Sequence, residues 1–440
     1  MGALTAARTP TRSRRRPSAR RLALVVALTV AAAGCIEPPP ADPGPTTATS
    51  ASVPSPVPSP APSPWPAPSP SPAPWPAPSP SPGSILDNLE AGPPDALPLP
   101  FPTAALAEVA DGEVDPEVRA AIQAAHDAFQ ERGGNRGADV LTVIRAEEGT
   151  WTSVVGTADG TTPVTPEHQF SIGTLGRLVL FAEVMSLVED GLLDLEREVT
   201  HYLPKSLGFD TDATVRDLLH HTSGLPDHHL ALRATIEADP GHRFTPAELL
   251  DAVPDERGAA GSPGSSTDDV LLGLAIEHVT GLSAAQAFRT HVLTGTGLEG
   301  LAVQPEERPQ GPVALPARPD AARRFDDGGG YLPSLAAASA GWPASGMAST
   351  TQALARFMQL LCGGHILSTA ALSEFAAWAD DPSGGAAGTP VLGLVNVDAG
   401  YAGMALCLPL TGRAVAIVSS AAEVAATVPV VPLMDTAVQP

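Results

Sequence analysis

Lysine occurs once in the 440 residues, at Lys205; tyrosine occurs at Tyr202, Tyr331 and Tyr401, and cysteine at Cys35, Cys362 and Cys407. Each scarcity excludes something. The residue three before Lys205 is Tyr202, so no serine is followed three positions later by a lysine. A lysine base one helical turn beyond a serine nucleophile is therefore impossible. No tyrosine lies between Tyr202 and Tyr331, which removes a phenol from the middle of the chain. Positive charge is also short: the formal net charge is −23. A surface this acidic argues against nucleic acid and anionic lipid as partners.

The N-terminus holds seven arginines, from Arg8 to Arg21, then an apolar run from Leu22 to Ala33, then Gly34-Cys35. The run is too short to cross a bilayer comfortably, and basic, apolar and small residues in that order read as a secretion signal. Ala32-Ala33-Gly34-Cys35 is similar to a bacterial lipobox, with Cys35 as the acylated residue of the mature chain. Residues 1–34 are thus expected to be a lipoprotein signal peptide, with simple secretion as the alternative. Their loss deepens the charge from −23 to −30. Residues 35–100 are rich in Pro, Ser and Ala, with a ten-residue unit beginning at Pro64 and again at Pro74. Proline fixes φ and removes amide donors, so this stretch reads as an extended spacer. At ~3.1 Å per residue it can hold a domain on the order of 100 Å from its anchor.

Residues 101–440 read as one large domain. A helix is predicted over Val118 to Arg132, stopped by Gly133-Gly134, and a hairpin over Asp139–Arg145 and Thr150–Val155. Apolar residues at Leu178, Phe181, Met185, Val188 and Leu192 fall on one face of a helix that Gly191 stops. Asp269 to Leu282 is a further helix, and Val391–Val397, Gly403–Leu408 and Ala414–Ser419 read as three strands, with a turn at Leu410-Thr-Gly412. Pro429 and Pro432 interrupt any long closing helix. Cys362 and Cys407 can bridge outside the cell, but a large domain needs no staple, so two buried thiols are expected.

The run His168-Gln-Phe-Ser-Ile-Gly-Thr174-Leu-Gly-Arg177, followed by Val215-Arg-Asp-Leu-Leu-His-His-Thr-Ser-Gly-Leu-Pro226, resembles the class C β-lactamase and D-alanyl-D-alanine carboxypeptidase family of serine hydrolases. That resemblance covers about residues 138 to 420 and implies an α/β (α+β) fold: an antiparallel sheet flanked by helices, plus a helical subdomain. It also implies three catalytic patterns. The first, Ser-x-x-Lys, falls on Thr174 and Arg177. The second, Tyr-x-Asn, falls on Gly264-Ser-Ser266, and the third, Lys-Thr-Gly or His-x-Gly, on Leu394-Val-Asn396. None of the three is present, so the expectation is a fold kept while its chemistry has been removed.

Thr174 keeps a hydroxyl, yet an internal threonine has no terminal amine to serve as base, so the favoured role is a helix cap. Arg177 has two readings. A guanidinium with pKa above ~12 cannot act as a base, so it is either an exposed helix residue or a group turned into the cleft to bind a carboxylate. Ser266, Asn396 and His221 are the remaining cleft candidates. His220, His221, Asp227, His228 and His229 have the composition of a metal cluster, but adjacent histidines on a loop read as solvated. No metal or cofactor is expected. Three functions remain open: a non-catalytic envelope protein holding a peptidoglycan fragment, a peptide or a partner protein; an atypical serine or threonine hydrolase; and an interaction module using a surface outside the cleft.

Overall fold

The structure is a computed structural model, and it describes residues 101–102, 104–132, 137–254, 264–317, 329–378 and 392–421. The expected signal peptide, Cys35, the expected linker, Gly133-Gly134 and the prolines at 429 and 432 lie outside the described residues. Helix α1 (Pro116–Arg132) leads into the hairpin β1 (Ala138–Arg145) and β2 (Gly149–Gly156). Strand β3 (Phe170–Ser171) precedes a tight 3-10 turn, Gly173–Gly176, and then helix α2 (Arg177–Glu189). A run of helices follows: α3 (Val215–Leu219), α4 (His228–Ala238), α5 (Pro246–Asp251), α6 (Ser266–Thr280) and α7 (Ala284–His291). After β4 (Leu301–Ala302), α8 (Leu335–Ala340) and β5 (Ala348–Ser349) come α9 (Thr351–Cys362) and α10 (Thr369–Trp378). The strands β6 (Leu392–Asp398), β7 (Tyr401–Leu408) and β8 (Arg413–Ser419) close the domain.

These strands make one five-stranded antiparallel sheet in the order β2-β1-β8-β7-β6. Chain start and chain end thus meet at its centre, and β6 is an edge. Every residue of β1 is buried, because both faces of the sheet are covered. Leu141, Val143, Val415 and Ile417 pack under Ile122 of α1, while Val140, Ile144 and Ala416 face the larger core beneath α9. The alternation of a strand is therefore invisible in β1, where the core residues Val140-Leu141 and Val143-Ile144 run in adjacent pairs. A second, three-stranded sheet, β3-β5-β4, carries the chain to the turn before α2.

Helix α2 departs from the one-faced pattern that its spacing predicts. Residues 178 to 185 are all buried, since α6, α7 and α10 pack around it while the turn before it abuts β6 and β7. A helix covered on all sides must be apolar all round. Its one acid in that run, Glu183, is bonded by His291 Nδ1 at 2.6 Å. The helix ends at Glu189 and Gly191 takes φ +72°, as the glycine stop requires, so Leu192 lies beyond the helix and is exposed.

The two thiols expected in the core are instead joined: Cys362, at the end of α9, bonds Cys407 of β7. Their Cα atoms are 6.5 Å apart across 45 residues, within the span a disulfide tolerates. The separation in sequence concealed a neighbour relation that the packing of α9 on β7 creates.

Candidate functional site

Thr174 sits in the 3-10 turn, half-buried, where a nucleophile would stand. It is not the helix cap that its position suggests. Helix α2 starts at Arg177, its N-cap is Gly176, and no side chain caps it. The Thr174 hydroxyl instead donates to Asn396 Oδ1 at 3.0 Å, and the Thr174 amide donates to the same oxygen at 3.0 Å. The cap fails because the 3-10 turn separates Thr174 from the first helical turn, leaving its hydroxyl facing the edge strand. Asn396, nearly fully buried, stands where the third pattern calls for glycine.

Arg177, one turn further on, is partly buried rather than exposed, and it does bind a carboxylate, although one of its own chain. Its Nε donates to Asp269 Oδ2 at 2.9 Å, and Nη2 reaches the Gly264 carbonyl at 3.5 Å. Gly264 is the position of the second pattern's tyrosine, so the guanidinium lies beneath the segment that a phenol would have occupied. Ser266, the other end of that pattern, is the first residue of α6 and half-buried. Two of the three empty motifs therefore meet at Arg177, and the first and third meet at Thr174 and Asn396.

His221 completes the cluster, with φ +56° placing its ring against two acids. Its Nδ1 lies 3.1 Å from Asp268 Oδ2 and its Nε2 3.8 Å from Asp269 Oδ1. Ser223 Oγ donates to Asp268 Oδ1 at 2.6 Å. Burial pushes His221 down to about 4, helped by the positive charge of Arg177, so the ring is neutral at pH 7 and shares a hydrogen bond with Asp268 through Nδ1. Burial pushes Asp268 up to about 7, against the opposing hydrogen bond from Ser223 and the charge of Arg177. Asp269 is likewise raised by burial, with Arg177 opposing. Charge is balanced here by pairing, not by solvent.

The pairing leaves almost no space. Between Arg177, Leu180, Leu218, His221, Asp269 and Leu272 only about 10 Å³ is open, so a ligand has no room on this side of the site, away from Thr174 and Asn396. A larger cavity of about 460 Å³, bounded by Arg289, Glu306, Arg308 and Tyr331, shares no residue with this cluster.

The histidine group expected to be solvated is largely not. His220 Nε2 contacts Glu374 at 2.6 Å, and His228, fully buried, meets Thr267 Oγ1 through Nδ1 and the Ala340 carbonyl through Nε2. The rings diverge onto separate partners because the loop folds back between α6 and α8. Asp268, Asp269 and Ser223 were missed by sequence reasoning as site residues. The usable signal was two adjacent acids opening an otherwise apolar helix, since a buried carboxylate must find a partner.

This arrangement of sheet, buried helix and motif positions can be compared with known proteins. The β-lactamase family model matches residues 120–427. The chain belongs to the β-lactamase family. A curated β-lactamase-family relative, penicillin-binding protein 4* of Bacillus subtilis (strain 168), is 30% identical over 145 residues. That match spans 31% of this chain and 31% of the relative, so the chain covers about a third of that protein's length. Among solved structures, D-amino acid amidase from Ochrobactrum anthropi SV3 superposes with a TM-score of 0.56 at 22% identity, covering 73% of this chain and 98% of the amidase. A D-stereospecific amidohydrolase from Streptomyces sp. gives 0.57 at 19% identity, with 72% and 98% covered. The octameric penicillin-binding protein homologue from Pyrococcus abyssi gives 0.55 at 20%, with 72% and 76% covered. At these identities the likeness establishes the β-lactamase/transpeptidase-like fold.

Proposed function

We propose that the chain is a catalytically inactive member of the β-lactamase family that works by binding, holding a cell-wall fragment, a peptide or an envelope partner at its cleft. The observation that carries this reading is the fate of the base. The residue one turn after the nucleophile position is Arg177, a group that stays protonated, and Asp269 holds it in an internal ion pair. With no base among the described residues in hydrogen-bond reach, the Thr174 hydroxyl donates to an amide oxygen, a weak acceptor that cannot take its proton. The amidase and penicillin-binding names belong to the relatives; what this chain inherits in this reading is a cleft for acylated amino acids or peptides, without the turnover. Export and a lipid anchor at Cys35, with the Pro/Ser/Ala spacer, would place that cleft in the cell envelope.

The test is intact mass of the full chain after incubation with a β-lactam and with a fluorophosphonate, beside Thr174→Ala. The expected result is no adduct on either protein. A stoichiometric adduct that disappears in the alanine variant would make Thr174 a working nucleophile and overturn the reading in favour of an atypical hydrolase.

A further inference from the structure

Two donors of Thr174 converge on one oxygen of the same chain. Its amide and its hydroxyl each lie 3.0 Å from Asn396 Oδ1. Converging donors at about 2.7–3.1 Å are what a site needs to hold the oxygen of a carbonyl or an oxyanion. Here the oxygen is supplied internally, by a side-chain amide with the same C=O group as a peptide.

The fit of that amide is close. Asn396 is 3% exposed and presses on Gly173, where an added Cβ would come within 2.4 Å of Oδ1. Gly173 takes φ +50°, a conformation that suits glycine and that turns the following amide toward β6. Asn396 reaches the turn from β6, the last strand in the sheet order, which pairs with β7. Its neighbours Val395 and Val397 point the other way and are exposed, as period-two alternation demands. Thr174 itself is half-buried, so both donors can be reached from solvent once the amide withdraws.

Resting on the binding function proposed above, we propose that Asn396 is the specificity-determining gate of the cleft: its side-chain carbonyl occupies the place of a ligand's carbonyl or carboxylate oxygen. A ligand then enters only by bringing an oxygen that replaces Oδ1 on the Thr174 amide and hydroxyl. An ammonium or an apolar group offers no acceptor, leaves two donors unsatisfied and is rejected. The ligand class is therefore an acyl or carboxylate compound, such as an acylated peptide end. No covalent step is involved.

The experiment titrates N-acetyl-D-alanyl-D-alanine, and the reduced amine analogue lacking its carbonyls, into the full-length wild-type chain and Asn396→Ala. Amide hydrogen exchange at Thr174 is followed in both. In the wild type the Thr174 amide should be protected. In Asn396→Ala that protection should fall and the acyl dipeptide should bind about tenfold more tightly, the equivalent of releasing two internal hydrogen bonds. The amine analogue should gain nothing. Equal affinity of the two proteins for the dipeptide, no binding by either, or an equal gain for the amine would each overturn the proposal. Should the alanine variant lose its circular dichroism spectrum, the wild-type exchange decides: an unprotected Thr174 amide in the folded wild type refutes the gate, and protection released by added dipeptide supports it. The two proposals fail separately. Dipeptide bound by the variant but not by the wild type would support the gate while removing the wild-type cleft as a binding site, whereas an adduct in the mass experiment would refute inactivity and leave the gate standing.

Discussion

Asp139, at the start of β1, shows how a single buried acid ties stability to pH. It receives a hydrogen bond from Ser419 while Oδ1 has no partner, and burial pushes its carboxyl up to about 7. The folded state therefore holds a proton that the unfolded chain, with an ordinary aspartate, has already lost. Stability from this group is complete below about pH 4 and is lost as pH rises through about 7. Asp139→Asn, neutral throughout, should match the wild type near pH 4 and exceed it at pH 8 by up to about 4 kcal/mol, since each tenfold difference in proton affinity between the folded and unfolded chain is worth about 1.4 kcal/mol. Denaturant unfolding at both values checks this, and an advantage independent of pH would contradict it. At Asp269, which burial also raises, the charge of the partly buried Arg177 opposes that rise. Removing either alone leaves an uncompensated charge, which is why an arginine at this position needs that aspartate.

At the scale of elements, the local signals were mostly legible. The hairpin β1–β2, the helix from Ser266 to Thr280 with its glycine stop at φ +68°, and the three closing strands follow their sequence patterns to within a few residues. What could not be read is which elements touch. The bond between Cys362 and Cys407 belongs to this class, because it exists only once α9 lies across β7. Closing a loop of 45 residues should stabilise the domain by about 4 kcal/mol through the entropy of the unfolded chain. Peptide mapping without reductant should recover the linked pair, and reduction should lower the melting temperature. Free thiols at both positions in the native protein would refute it.

At the scale of the whole molecule, the reading of an anchored envelope protein turns on Cys35. Cys35→Ser should move the protein from the membrane fraction to the soluble exported fraction without changing the melting of the folded domain, because a lipid anchor acts through partitioning and not through packing. Equal distribution of the two forms would remove the lipid anchor and leave simple secretion.

The chain's composition and local patterns by themselves determined the family and the absence of the three motifs that carry its chemistry. Helix periodicity, glycine stops and turn motifs are short-range properties, and the absence of a suitably placed lysine or tyrosine is a matter of counting. The tertiary structure alone decided what replaced that chemistry. Thr174 meets Asn396 across 222 residues and Arg177 meets Asp269 across 92. Asn396 has no local signature, and the adjacent acids that mark Asp269 do not name its partner, since a buried donor or charge is satisfied by whichever group the fold brings within reach, and that choice is made only when sheet edge, turn and helix close on one another.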